Sequence, residues 1–213
     1  MLSSFSYFQF FIIGICIGSF LNVIIYRFQK NFSIIKPRSF CPKCKKQLTW
    51  RENIPLVSYL IQGGKCIGCS EYISIKYPLV ELMTGTLFIF FAYSSPTFFN
   101  FSQNPFLITF FSWLFLSLLI CISLIDLDSF WIPQGLINFG FVFGILGLIC
   151  LDIFKEQSFN FSLTAIGLTT AAISFLIFEF LRLFAKYIFK KDALGKGDSK
   201  LIAMLALWLG PMG

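Results

Sequence analysis

Uncharged, strongly apolar runs alternate with short polar stretches along this chain, and the lengths of the runs predict its elements. From Met1 to Tyr26 no residue is charged, and "YFQFFIIGICIGSFLNVIIY" has the length of about 20 residues that a membrane-crossing helix needs. It lacks the positive head and small-residue cleavage site of a secretory signal, so it reads as a retained first helix. A polar segment runs from Arg27 to about Tyr77, followed by an uncharged stretch from Leu82 to Ile125 that is too long for one span. The prolines and small polar residues of "SSPTFFNFSQNP", Ser94 to Pro105, favour a turn there and predict two helices, near 79–94 and 105–125. Trp131 to Leu151 reads as a fourth helix and Ser162 to about Ile188 as a fifth. The uncharged tail from Leu201 to Gly213 is too short to span alone and reads as a sixth helix cut short.

Composition points the same way. Of the 213 residues 57% are hydrophobic and 13% charged, with 30 phenylalanines, more apolar side chain than a soluble domain of this size can bury. The expected fold is an all-α polytopic membrane protein of about six transmembrane helices with a small cytoplasmic insertion between helices one and two. Three segments are predicted: a first transmembrane helix at 1–26, a cytoplasmic four-cysteine segment at 27–78, and a transmembrane core at 79–213.

Charge sets the orientation. Ten of the 17 lysines and arginines lie between Arg27 and Lys76 and six between Arg182 and Lys200, while the loops on the other side hold only Lys155. By the positive-inside rule the amino terminus is outside and both basic segments are cytoplasmic. "IDLDSFWIPQ" and "GKGDSK" then begin at the same membrane face, which brings Asp126, Asp128 and Asp198 to one side.

There is no histidine, which removes the usual base for serine or cysteine nucleophiles and the imidazole ligands of catalytic zinc motifs. Proton chemistry must come from carboxylates, lysines or thiols. A solvated turn would explain Asp198 alone, and a helix end in the headgroups would explain Asp126 and Asp128. Against both readings stands the cost of ionisable groups at membrane depth. Two carboxylates brought close cannot both ionise, so one keeps a proton while the other acts as base. Asp126 and Asp128 are two apart and, on a continuing helix, point to different faces, so one of them is expected to meet Asp198. Gly195 and Gly197 read as a flexible loop that lets an extended peptide approach. A phosphate loop is excluded, because Gly197 stands where that pattern needs Ser or Thr.

The cytoplasmic segment carries "CPKC" and "CIGC", two C-x2-C pairs with 21 residues between them, close to four-thiolate zinc spacing. Cys41, Cys44, Cys66 and Cys69 are the candidate ligands, with a redox thiol pair as the other reading. Zinc could fold a segment too small and polar to build a core. Cys16, Cys121 and Cys150 lie in apolar helices and read as packing residues. Glu81 is expected to favour the start of the second helix, and Glu179 to pair with Arg182.

"CPKCKKQLTWRENIPLVSYLIQGGKCIGCSEYISIKYPLVE", "LIDLDSFWIPQ" and "GKGDSKLIAMLALWLG" together closely resemble the type IV prepilin peptidases, GxGD-type aspartic peptidases also called leader peptidase and N-methyltransferase. The resemblance runs from "GSFLNVIIYR" at Gly18 to Gly210. It implies a peptidase of the bacterial inner or plasma membrane that cuts the short basic leader from prepilin and pseudopilin precursors of type IV pilus and type II secretion systems. It also implies N-methylation of the new terminus from S-adenosylmethionine. By position it makes Asp126 and Asp198 catalytic, Asp128 supporting, and Gly64 in "GGKC" a residue of the methyl-transfer step. Membrane lipids are the other implied partner, and nothing points to nucleic acid. Gln134 departs from the family's Asp or Asn, and members commonly continue through further helices, so the core reads as C-terminally truncated at Gly213. The competing non-enzymatic reading is a membrane-anchored zinc scaffold for pilus or secretion assembly.

Overall fold

The alternation of apolar runs and breaks becomes a succession of helices. The computed structural model describes residues 4–30, 32–33, 35–36, 38–98, 105–155, 162–190 and 195–210. In chain order they form α1 (Ser4–Gln29), a single 3-10 turn (Arg51–Asn53), α2 (Val57–Ile61), α3 (Lys76–Phe98), α4 (Pro105–Ser129), α5 (Gln134–Lys155), α6 (Ser162–Phe189) and α7 (Lys196–Leu209). The five helices α1, α3, α4, α5 and α6 are long and apolar enough to cross a membrane. The chain is thus an all-helical multi-pass membrane protein, with α7, 14 residues long, as the sixth of the expected helices. Among the described residues, β structure is confined to two isolated bridges.

Two boundaries differ from expectation. Helix α4 runs past Ile125 to Ser129, because a helix emerging from lipid does not stop at its first acid. The chain then turns at Phe130, whose φ of 50° lets its N–H reach the Asp126 carbonyl at 2.7 Å. Consequently α5 begins at Gln134 and not at Trp131. Of the break expected at 94–105, α3 takes residues up to Phe98 and α4 begins at Pro105; residues 99–104 lie outside the described residues, as does the end of the tail at 211–213.

The chain divides into two compact units, Met1–Ser94 and Ser95–Gly213. In the first, α1 and α3 meet backbone to backbone. A Cβ on Gly14 would stand 2.7 Å from Gly85 Cα, and one on Gly18 would stand 2.8 Å from Glu81 Cα. This is the small-residue spacing by which helices approach closely in lipid, where apolar contact alone does not drive them together. Ile15, Leu21 and Phe88 are buried around it.

In the second unit α7 packs on α5 and α6. Trp208 donates its indole N–H to the Gly140 carbonyl of α5 at 3.0 Å and stacks on Phe115 of α4, ring centroids 4.9 Å apart. Asp152 near the end of α5 is buried and accepts the Leu163 and Thr164 N–H groups, at 2.9 and 2.8 Å, and the Thr164 hydroxyl at 2.6 Å. It thus supplies acceptors to the otherwise unpaired first turn of α6, where the helix dipole favours negative charge.

Candidate functional site

In the cysteine segment each C-x2-C pair closes the same turn. Cys41 N–H donates to the Lys46 carbonyl and Lys45 N–H to the Cys41 carbonyl, both at 2.9 Å. The second pair repeats this, Cys66 to Glu71 at 2.9 Å and Ser70 to Cys66 at 2.8 Å. Lys45 and Ser70, at matching positions, take φ of 61° and 57°. The bridges Phe40–Gln47 and Lys65–Tyr72 flank the two turns. The segment is therefore one turn used twice, and the four sulfurs face one another.

All four Sγ atoms lie within 4.8 Å of one another. Cys41 and Cys69 are 3.9 Å apart and Cys44 and Cys66 4.0 Å. A tetrahedral ion at a metal–sulfur distance of about 2.3 Å holds its sulfurs about 3.8 Å apart, whereas a disulfide needs about 2.0 Å. The cage fits a metal. The Gly68 N–H donates to the Cys66 sulfur at 3.4 Å, and with the Cys69 N–H it draws that thiol down to about 7.

The segment is braced by two acids. Glu52 accepts the Thr49 N–H and hydroxyl at 2.8 and 2.7 Å and Lys46 at 3.1 Å, which together hold its carboxyl at about 2. Glu81 does something other than favour its own helix start. Its Oε2 accepts the Leu56 N–H at 2.7 Å, tying the buried beginning of α3 to the cysteine segment. Leu56 sits at φ 59°, ψ −48°, and the Val57 N–H reaches the Pro55 carbonyl at 2.6 Å across it. That is the strained hand of the γ-turn, worth about 1–3 kcal/mol against the fold. The hydrogen bond from the Leu56 N–H to Glu81 offsets part of that cost.

Gly63 and Gly64, at φ 58° and 69°, end α2. The Gly64 N–H donates to the Tyr59 carbonyl at 2.9 Å, and a Cβ on Gly64 would stand 3.0 Å from the Tyr59 hydroxyl. Tyr59 lines a cavity of about 350 Å³ that also takes in Tyr26, Glu52, Asn53, Gln62 and Glu81. The first unit thus contains a room beside the metal cage, with Gly64 behind one wall.

In the second unit Asp126 lies in the last turns of α4, half-buried, and Asp128 is exposed on another face of the same helix. Asp198 stands in the first turn of α7 and not in a loop: Gly195 caps the helix, and Asp198 Oδ2 accepts the Gly195 N–H at 3.1 Å. Neither Gly195 nor Gly197 has a positive φ; Gly197 instead packs on Ile132, 3.4 Å from where a Cβ would sit. Lys200 donates to Gln134 Oε1 at 2.9 Å. These two contacts hold the start of α7 against the turn that follows α4. Asp126 and Asp198 therefore stand at the same end of this unit, with no hydrogen bond between their carboxylates. Glu179 pairs with Arg182 as expected and also accepts the Ser199 hydroxyl at 3.2 Å, fixing α7 to α6 one residue beyond Asp198.

Sequence reasoning passed over Asp152, the α1–α3 glycines and Tyr59. A lone acid within "LGLICLDIF" and the spacing of "GICIG" were the available signals. Nothing marks Tyr59 in the sequence, because its place depends on the turn after α2.

Comparison with known proteins agrees on both units. The bacterial peptidase A24 N-terminal domain matches residues 12–95, and the type IV leader peptidase family matches residues 113–213. The chain is 39% identical over 204 residues to a prepilin leader peptidase/N-methyltransferase of Myxococcus xanthus, covering 93% of this chain and 55% of that protein. It is 34% identical to a type 4 prepilin-like proteins leader peptide-processing enzyme of Escherichia coli O78:H11, covering 93% of this chain and 75% of the relative. A prepilin leader peptidase/N-methyltransferase of Klebsiella pneumoniae is also 34% identical, with 94% and 83% covered. No solved structure matches the chain.

Proposed function

Because this chain belongs to the type IV leader peptidase family, we propose that it is a membrane-embedded aspartic endopeptidase that removes the short basic leader from type IV prepilin or pseudopilin precursors and then N-methylates the new terminus. Cutting is assigned to Asp126 and Asp198, with Asp128 in support. In the reaction one carboxylate serves as base and the other as acid. The ionised carboxylate takes a proton from water as the water oxygen attacks the scissile carbonyl carbon, and the protonated partner delivers its own to the amide nitrogen as the C–N bond breaks. The pair ends with the proton count it began with and needs no histidine.

The observation that supports this is the anchoring of α7: Lys200 on Gln134 and Gly197 on Ile132 hold Asp198 at the end of the unit where α4 delivers Asp126. The lysine and arginine bias assigns that end, and the cysteine segment, to the cytoplasmic face, with the amino terminus outside. Zinc is the metal assigned to the four thiolates, as a structural ion that folds the segment. S-adenosylmethionine is assigned as the donor, and what it supplies is an electrophilic methyl group on a sulfonium. The chain's part would be to hold the freed amine, in its neutral form, against that methyl group and to keep water away from it.

The test is an assay of the detergent-solubilised full chain with a prepilin-like peptide and added S-adenosylmethionine, both products read by mass. The expected products are the basic leader and a mature peptide heavier by one methyl group. An intact precursor after prolonged incubation with wild-type protein would remove the peptidase assignment.

A further inference from the structure

The peptidase chemistry leaves Glu179 of the second unit without a task. It is the first charged residue of α6 and stands about 15 Å short of the helix end at Phe189, within a helix apolar enough to cross a membrane. We propose that Glu179 is a positioning residue for the cleavage reaction: through the hydroxyl of Ser199 it sets where Asp198 stands, with Arg182 as its counter-charge. The inference rests on the assignment of cutting to Asp126 and Asp198 and adds a residue to it.

An ionisable side chain within a membrane helix is costly and marks function by default. Pairing with Arg182 explains how the charge is tolerated but not why α6 carries it. The Arg182 guanidinium takes both carboxylate oxygens, Nε donating to Oε2 at 3.0 Å and Nη2 to Oε1. This fork fixes the plane of the carboxylate. What the fixed plane presents to α7 is Oε2, which accepts the Ser199 hydroxyl at 3.2 Å. Ser199 is 3% exposed and the Arg182 side chain 12%. The contact is therefore made away from water, where a polar link is stronger than at an open surface.

The place of this contact along α7 carries the argument further. Among the described residues Asp198 accepts one hydrogen bond, from the Gly195 N–H of its own first turn, so its position is set by its neighbours in the chain. Gly197 meets Ile132 and Lys200 meets Gln134, on α5 and the turn before it. Ser199 meets Glu179 on α6. Positions 197, 199 and 200 thus clamp the start of α7 from two directions, and 198 lies between them. Without the link to α6 that start can pivot about its α5 contacts, which shifts the Asp198 carboxylate relative to Asp126. In a reaction that needs acid and base aligned on one bond, a displacement of about 1 Å costs about 100-fold. A second polar link joins the same two helices two turns further along α7, where the Thr170 hydroxyl donates to the Ala206 carbonyl at 3.2 Å. It serves as a control for general loosening of α7.

The experiment measures kcat and KM for cleavage of a prepilin-like peptide by the full chain in detergent, with melting of the same samples followed by tryptophan fluorescence. Ser199→Ala leaves the Glu179–Arg182 pair intact. It should lower kcat about tenfold to 100-fold, the cost of a displacement of up to about 1 Å, with KM within about twofold of wild type. Glu179→Gln keeps an acceptor for the Ser199 hydroxyl and should retain more of the rate than Glu179→Ala. The double variant Ser199→Ala/Glu179→Ala should be no slower than Glu179→Ala alone, because two residues that act through one contact are not additive. Thr170→Ala should melt below wild type yet keep its kcat. An unchanged kcat in Ser199→Ala, a rise in KM alone, an equal loss of kcat in Thr170→Ala, or additive losses in the double variant would each remove Glu179 from this role while cleavage by wild-type protein stands. A wild-type protein that does not cut the peptide overturns the peptidase assignment and this inference with it.

Discussion

Asp198 uses its carboxylate on its own helix: Oδ2 accepts the Gly195 N–H, and the half of the capping box that a serine or threonine would supply is missing because the cap is glycine. An acid in a first turn contributes about 0.3–1 kcal/mol, too little for the fold to depend on it. Asp198→Asn and Asp126→Asn should therefore melt within a few degrees of wild type while cleavage falls by about 100-fold to 10,000-fold or more, the range of general acid–base catalysis. Peptide cleavage and thermal unfolding of the same samples check this, and a variant that cuts at the wild-type rate leaves the pair. Glu52 carries a pH dependence whose sign follows from its partners. Thr49 and then Lys46 hold it at about 2, below the ordinary 4.5, so its stabilisation is complete above about pH 4.5 and is lost as pH falls towards 2. The difference in melting temperature between wild type and Glu52→Gln, followed by tryptophan fluorescence, should be constant near neutrality and shrink through that window. A difference that grows on acidification would contradict the Thr49 and Lys46 contacts. At this scale the sequence singled out the acids of the second unit but not their settings. The paired glycines of "GKGD" resemble a loop, and only the packing of Gly197 on Ile132 makes them a helix start.

Helices were the most legible level, because an uncharged run of span length admits one solution in lipid. What the runs could not disclose was which faces meet. "GICIG" looks like any other part of α1 until Gly14 and Gly18 are seen against Gly85 and Glu81. Gly18→Val would drive a branched side chain into the α3 backbone at the level of the Glu81 tie. The cost should be about 1–3 kcal/mol, the usual range for overpacking, and several degrees of melting temperature. Equal melting of Gly18→Val and wild type would mean that α1 and α3 do not rely on this approach. The cysteine pairs were legible as a cage from spacing alone, since a metal site is a local pattern. The grip of Glu81 on Leu56 was not, because it joins residues from two segments that composition reads as unrelated.

At the scale of the molecule, the two compact units coincide closely with the two matched families, residues 12–95 and 113–213, and each carries its own candidate chemistry. The cage, the strained turn and the cavity lie in the first; Asp126, Asp128 and Asp198 lie in the second. Methylation of a precursor needs the amine that cleavage exposes, so any defect in cutting abolishes both activities when intact precursor is the substrate. Supplying a synthetic peptide that already begins at the mature residue removes that dependence. On this peptide Asp126→Asn should methylate at the wild-type rate although it does not cut precursor. Metal removal should give the opposite pattern. Four thiolates of a segment with little core of its own cannot hold their geometry without an ion, so chelation should release metal from the cage, loosen the wall that carries Glu52 and Tyr59, and stop methyl transfer. Precursor cleavage by the second unit's acids should continue, and restoring zinc should restore the methyl group. Metal release by absorbance and product masses from both substrates decide the matter. Loss of cleavage in step with metal would show that the cage serves the peptidase as well, and that the two chemistries are not divided along the chain.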